Sequence, residues 1–226
     1  MALNSHLLLL DLDGVVVLES GPPLCEQLEI LALHSSIADQ IARLDAPVVV
    51  LTHRSRAEAR RILAAAGLQK PILSGLMAAE DLFLSGFRHR RVGRLLRGGL
   101  RKSLILPEVE RRYGLKRDRM ALIDDRIDNV EDMIGAGIGL VMHAPSAIGP
   151  DQKSIETFDF ASALDVFRGW SREEQGGLVI NLPPVMLSAD VVRRTGLSTA
   201  PDADHFFNRA RRIASVFRRR LTKTEA

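Results

Sequence analysis

The feature that most constrains this chain is the run Leu7-Leu8-Leu9-Leu10, which stops abruptly at Asp11-Leu12-Asp13-Gly14. A strand with leucine at successive positions must be covered on both faces, which places it at the centre of a parallel α/β sheet. Ligands of such sheets bind beyond the carboxyl ends of the strands, where Asp11 and Asp13 fall. Side chains alternate along a strand, so the two carboxylates share a face while Leu12 turns away. Together they can address one reacting group.

The rest of the chain repeats this pattern. Pro47 opens a second apolar run, Val48-Val49-Val50-Leu51, ending in Thr52-His53-Arg54. Ser55 and Glu58 have capping-box spacing, and the helix they start runs through Ala66 to stop at Gly67. Before this, 24–33 reads as short helical or irregular chain after the breakers Gly21-Pro22-Pro23, and 36–44 as a helix with Ile37, Ile41 and Leu44 on one side. Beyond it come a short strand at Ile72-Leu73, helical pieces at 77–84 and 87–96, and a helical stretch over 102–113 that Pro107 kinks or restarts. A strand over 120–123 ends at Asp124-Asp125, followed by a helix over 129–136 and a strand over 139–142. The alternation predicts a three-layer, doubly wound, Rossmann-like and mainly parallel sheet. Past Pro145 we expect an edge strand near 157–160, a helix over 161–167, a surface loop over 176–199 containing Pro183-Pro184, and a basic amphipathic helix over 202–221 with Phe206, Phe207, Ile213 and Phe217 on its apolar side. The expected division is a core at 1–150, with a small basic helical insert at about 75–101, and an extension at 151–226 packing on it.

With 226 residues, 46% hydrophobic and 26% charged, the chain has globular composition and enough length for one sizeable core. Cys25 stands alone, which rules out an intramolecular disulfide and makes a reducing compartment the simplest reading. The first apolar run is too short to span a membrane and has no basic leader, so a cytoplasmic location is expected. The net charge of +3 hides an asymmetry: twelve Lys or Arg face three acids between Phe87 and Arg119, whereas the first fifty residues are acidic. Such territories favour polyanionic partners, although a solvated basic face is the more frequent origin of a charge run. The six histidines show no zinc-ligand spacing, and Tyr113 and Trp170 read as packing residues.

Taken in order, Asp11-x-Asp13-Gly14, Thr52, Lys102 and Asp124-Asp125 with Asp128 and Asn129 resemble the haloacid dehalogenase (HAD) superfamily of aspartate-nucleophile phosphohydrolases. The resemblance covers roughly residues 7–143, and its specificity lies in the joint order of signals that are individually weak. It implies Asp11 as nucleophile, with Mg²⁺ held by Asp11, the backbone carbonyl of Asp13 and a carboxylate of Asp124-Asp125. Lys102 would hold the phosphoryl oxygens and offset the charge of Asp11, and Thr52 would donate a hydrogen bond to the same group. Of the lysines between Thr52 and the last motif, Lys102 opens the preceding helix, whereas Lys116 lies too close to the strand. Asp13 decides the reaction: an acid/base carboxylate two positions after the nucleophile serves an alkoxide leaving group, and dehalogenases of this family lack it. Many relatives have Gly-Asp where this chain has Asp124-Asp125, so Asp125 is the expected principal ligand, with Asp128 or Asn129 assisting. His53 and Arg54 follow Thr52 into the mouth of the site and are candidates to touch the leaving group.

The chain therefore reads as a Mg²⁺-dependent phosphatase acting through an aspartyl-phosphate. The intervals that carry caps in this family leave room only for a minimal one, which suits bulky phosphoesters, including nucleotides and nucleic-acid ends. Asp124-Asp125-Arg126 also resembles the phosphatase domains of polynucleotide kinase-phosphatases, and a phosphoprotein substrate stays open. The rival reading is a catalytically weak binding or regulatory protein of the same fold, docking on nucleic acid or another polyanion through segments such as 209–220.

Overall fold

The computed structural model describes residues 5–18, 27–34, 36–88, 93, 99–148, 155–173, 177–187 and 192–198. The expected helix over 202–221 and most of the basic piece between 89 and 98 lie outside the described residues. In chain order the strands are β1 (Leu7–Leu10), β2 (Gln27–Ala32), β3 (Val48–Leu51), β4 (Gly75–Met77), β5 (Met120–Asp124), β6 (Leu140–His143), β7 (Ala147–Ile148), β8 (Ile155–Phe158), β9 (Leu178–Asn181), β10 (Pro184–Leu187) and β11 (Val192–Ser198). Six of them form one sheet in the order β4-β3-β1-β5-β6-β9, with every neighbouring pair parallel. The tetraleucine strand sits inside it, with Leu10 beside Val50 on one side and Ile123 on the other.

Alternation along the strands divides the core into two layers. Leu8, Leu10, Val48, Val50, Ala121 and Ile123 face one side, under the helices Ile37–Ala42, Arg56–Ala65 and Phe160–Glu173. Leu7, Leu9, Val49, Leu51 and Leu122 face the other, under Ala79–Arg88, Leu106–Tyr113 and Ile127–Gly135. All four leucines of β1 are fully buried, each contributing roughly 2 kcal/mol of transfer free energy. Local signals set the helix ends. Ser55 forms the expected capping box with Glu58, Pro107 occupies the first turn of its helix, and Gly114 ends that helix in the left-handed conformation.

Three expectations are corrected. The strand that follows β3 is Gly75–Met77, not Ile72-Leu73, because residues 69–73 turn before Ser74 joins β3 through the Val48 carbonyl. Residues 27–32 form β2 instead of helical or irregular chain, held by an antiparallel partner, β11, more than a hundred residues away. Within the interval 176–199, the described residues form three strands instead of a surface loop. Leu178-Val179-Ile180 extends the parallel sheet next to β6, β10 pairs with β8, and Pro184 sits where β10 begins. Proline there loses little, since it starts an edge strand.

Candidate active site

The centre of the site is an ion-pair triad at the carboxyl ends of the two middle strands. Asp11 follows β1 and Asp124 closes β5. Lys102, which opens a 3₁₀ turn (Lys102–Ile105), reaches both, with Nζ 2.8 Å from Asp11 Oδ1 and 2.6 Å from Asp124 Oδ2. Lys102 and Asp124 are fully buried and Asp11 nearly so. The lysine is delivered by well-anchored chain: Ser103 donates from its backbone N and its Oγ to Asp132, and Ser85 Oγ donates to the Leu104 carbonyl. Burial pulls the Lys102 ammonium towards neutrality, but the charges of Asp11 and Asp124 outweigh it and hold its pKa above the ordinary value. Burial pushes the Asp11 carboxyl well above its usual range, with Lys102 opposing the shift and Asp124 adding to it.

Asp124 is held by three donors. Its Oδ2 takes Lys102, and its Oδ1 accepts from Arg126 N at 3.0 Å and from Asn129 Nδ2 at 2.9 Å. Asn129 thus supports Asp124, while Asp128 is exposed and faces Arg126 at 3.5 Å. Asp125 points into the site. Its carboxyl packs against Gly14, where φ is +78° and an added Cβ would run into the carboxylate. Burial, then the charge of Asp124, raises its pKa to about 6. Its backbone carbonyl accepts from His143 Nε2 at 3.1 Å. The sequence reading missed His143; its one signal was its place at the end of the strand beside Asp124.

Asp11, Asp124 and Asp125 each offer an oxygen, and these oxygens lie within 4.8 Å of one another. Three carboxylates against one ammonium leave a surplus of negative charge, and an all-oxygen donor set suits a hard divalent cation. The residues present therefore fit a metal. The Asp13 carboxylate is not in this cluster; its expected share in a metal site was through the backbone carbonyl.

Thr52 follows β3 and is buried, its Oγ1 accepting from Arg54 N at 3.1 Å. As a hydroxyl it keeps a proton to donate. His53 Nε2 lies 2.6 Å from the Leu100 carbonyl, tying β3 to the chain that carries Lys102. Burial, reinforced by the charge of Lys102, lowers its pKa. Arg54 turns inward onto Asp13, with Nε donating to both carboxylate oxygens at 2.9 and 2.8 Å. Beside His53 a groove of about 920 Å³ runs along the helix Ile127–Gly135. Its cations Arg101 and Arg126 are matched by Asp132 and Asp128. Elsewhere in the basic run Arg88 and Arg111 pair with Glu108, and Arg117 with Glu110.

No protein-family model and no curated protein matches the chain. Among solved structures it is similar to a dehalogenase in an intermediate complex, at 14% identity over 49% of this chain and 43% of that one, with a TM-score of 0.36. The chain thus spans less than half of that dehalogenase. It is also similar to a protein described as a HAD-like phosphatase from Mesorhizobium loti, at 16% identity over 64% of this chain and 76% of that one, TM-score 0.42. A third is 3-deoxy-D-manno-octulosonate 8-phosphate phosphatase from Moraxella catarrhalis, in complex with magnesium, phosphate and KDO, at 16% identity over 62% and 69% of the two chains, TM-score 0.34.

Proposed function

We propose that the chain is a HAD-superfamily phosphatase that hydrolyses phosphate monoesters with Mg²⁺ through an aspartyl-phosphate on Asp11. The observation that carries this reading is the meeting of Asp11, Lys102, Asp124 and Asp125 at adjacent strand ends, with the lysine 2.8 Å from the carboxylate assigned as nucleophile. An anionic nucleophile can approach an anionic phosphoryl group only against counter-charge. Asp11, Asp125 and Asp124, with the Asp13 carbonyl, would hold the metal, which when bound supplies that counter-charge. Lys102 orients Asp11 and neutralises charge on the phosphoryl oxygens, and the Thr52 hydroxyl donates to the same oxygens. Asp13 gives a proton to the departing ester oxygen and later takes one from water.

Nucleotides and nucleic-acid ends belong to the proposed substrate range, supported by the basic run and by the short cap intervals of the sequence. The test is hydrolysis of 4-nitrophenyl phosphate with and without Mg²⁺, followed by a panel of phosphorylated metabolites, nucleotides and 3′- or 5′-phosphorylated oligonucleotides. Metal-dependent turnover that Asp11→Asn abolishes is the expected result. Undiminished turnover in Asp11→Asn would reject the assigned nucleophile. Salt-sensitive oligonucleotide binding with no turnover on any substrate would favour a binding protein instead.

A further inference from the structure

We infer that Arg54 is a positioning residue for Asp13 and thereby sets how well the enzyme expels poor leaving groups; the inference rests on the phosphatase reading above. Three observations point to it. The guanidinium is almost inaccessible, at 2% exposure, while the carboxylate it holds is 37% exposed and faces the mouth of the site. Both oxygens of Asp13 accept from the same Nε, at 2.9 and 2.8 Å, a symmetric contact that fixes where the carboxylate sits. The arginine is itself held. Its NH1 lies 4.0 Å from the buried Glu58, which is locked by Ser55, and its backbone N–H donates to Thr52 Oγ1 while its carbonyl accepts from Ala79 N.

Asp13 needs such a hold. It sits in the turn after β1, where a half-exposed aspartate has several rotamers open to it, and proton transfer demands hydrogen-bond reach of the reacting oxygen. In the first step an Asp11 oxygen forms a bond to phosphorus and the bond from phosphorus to the ester oxygen breaks. The electron pair goes to that oxygen, and Asp13 supplies the proton that makes it an alcohol. In the second step the Asp13 carboxylate takes a proton from water, the water oxygen bonds to phosphorus, and the pair from the broken bond returns to Asp11. A misplaced Asp13 damages the first step most when the leaving oxygen is strongly basic. An aryl leaving group departs as a stabilised phenolate and needs the proton least. An arginine that simply gripped the phosphoryl group would serve all esters alike.

The experiment measures kcat and KM with Mg²⁺ for 4-nitrophenyl phosphate and for glycerol 2-phosphate in the unaltered chain, Arg54→Met, Arg54→Lys, Asp13→Asn and the Arg54→Met/Asp13→Asn double variant. General acid catalysis contributes about 10²–10⁴-fold. Arg54→Met should therefore reduce kcat on the alkyl ester at least about tenfold more than on the aryl ester. Asp13→Asn should show the same skew, the double variant should add none, and Arg54→Lys should recover part of it. Should Arg54→Met fail to fold, Arg54→Lys carries the same two-ester comparison. Equal losses on both esters, or a change confined to KM, overturns this inference alone. No turnover by the unaltered chain overturns the phosphatase reading and this inference with it.

Discussion

Lys102→Met is the perturbation with the largest consequence, because the ammonium is buried between two acids at 2.8 and 2.6 Å. Methionine fills much of the same volume and leaves Asp11 and Asp124 facing each other without a cation. Removing one partner from a buried pair costs about 3–5 kcal/mol, against a total stability of about 5–15 kcal/mol for a domain. Protonation of one carboxyl limits the loss, so it should shrink as pH falls. Urea unfolding in EDTA at neutral pH reads the effect. Lys102→Met should lose about 3 kcal/mol or more, and saturating Mg²⁺ should restore part of it by binding the native state alone. The second arm adds Asp11→Asn, which removes one of the two stranded charges and keeps the oxygen that accepts from Leu12 N. In the Lys102→Met background this change should stabilise by about 1 kcal/mol or more, whereas in the native background it should destabilise. A loss below about 1 kcal/mol in the single variant, or a further loss in the double variant, would refute the account of the triad.

Three further outcomes follow from the same geometry. Asp125→Asn should weaken Mg²⁺ binding measured by calorimetry about tenfold or more, with little change in far-UV circular dichroism. Gly14→Ala must adopt φ +78° and push aside the Asp125 carboxylate, so it should cost about 1–3 kcal/mol and also weaken Mg²⁺ binding; Gly67→Ala, with φ +72° and open space around it, should bear the backbone cost and leave metal affinity intact. His34 packs edge-on against Phe158 with centroids 4.7 Å apart, and burial lowers its pKa from 6.5 to about 4 despite the nearby Asp159 and a hydrogen bond to the Val15 backbone. Below pH 6.5 the unfolded chain takes a proton that the folded chain refuses, so stability is full above 6.5 and falls towards pH 4, by about 3 kcal/mol at about 1.4 kcal/mol per pH unit. Urea unfolding from pH 7 to 4 should show His34→Leu gaining on the native chain by that amount, and parallel curves would contradict the burial argument.

The central strands were legible because their burial is two-sided. Leu7–Leu10, Val48–Leu51 and Met120–Asp124 leave no polar face to misread, and each ends within a residue of where the polar sequence begins. What periodicity could not reveal is pairing at a distance. The short run 27–32 becomes a strand because β11 lies against it, and 178–181 becomes one because β6 offers a free edge. Both partners are settled by tertiary contact and leave no trace in a local window.

The site divides along the same line. Asp11, Lys102, Asp124 and Asp125 were found as strand-end or turn residues, and the fold brings them together. How each acid is held was not legible, since it depends on partners. Asp124 is held by Lys102, Arg126 and Asn129, whereas the Asp125 carboxyl packs against Gly14. Arg54 is the sharpest instance. From sequence it is one more cation after Thr52, equally suited to substrate, yet in space its charge is already committed to Asp13 and Glu58. The positioning role inferred for Arg54 rests on that pairing, and identity of residue type alone cannot separate it from direct binding. The neighbour that suggests it lies some forty residues away in the chain.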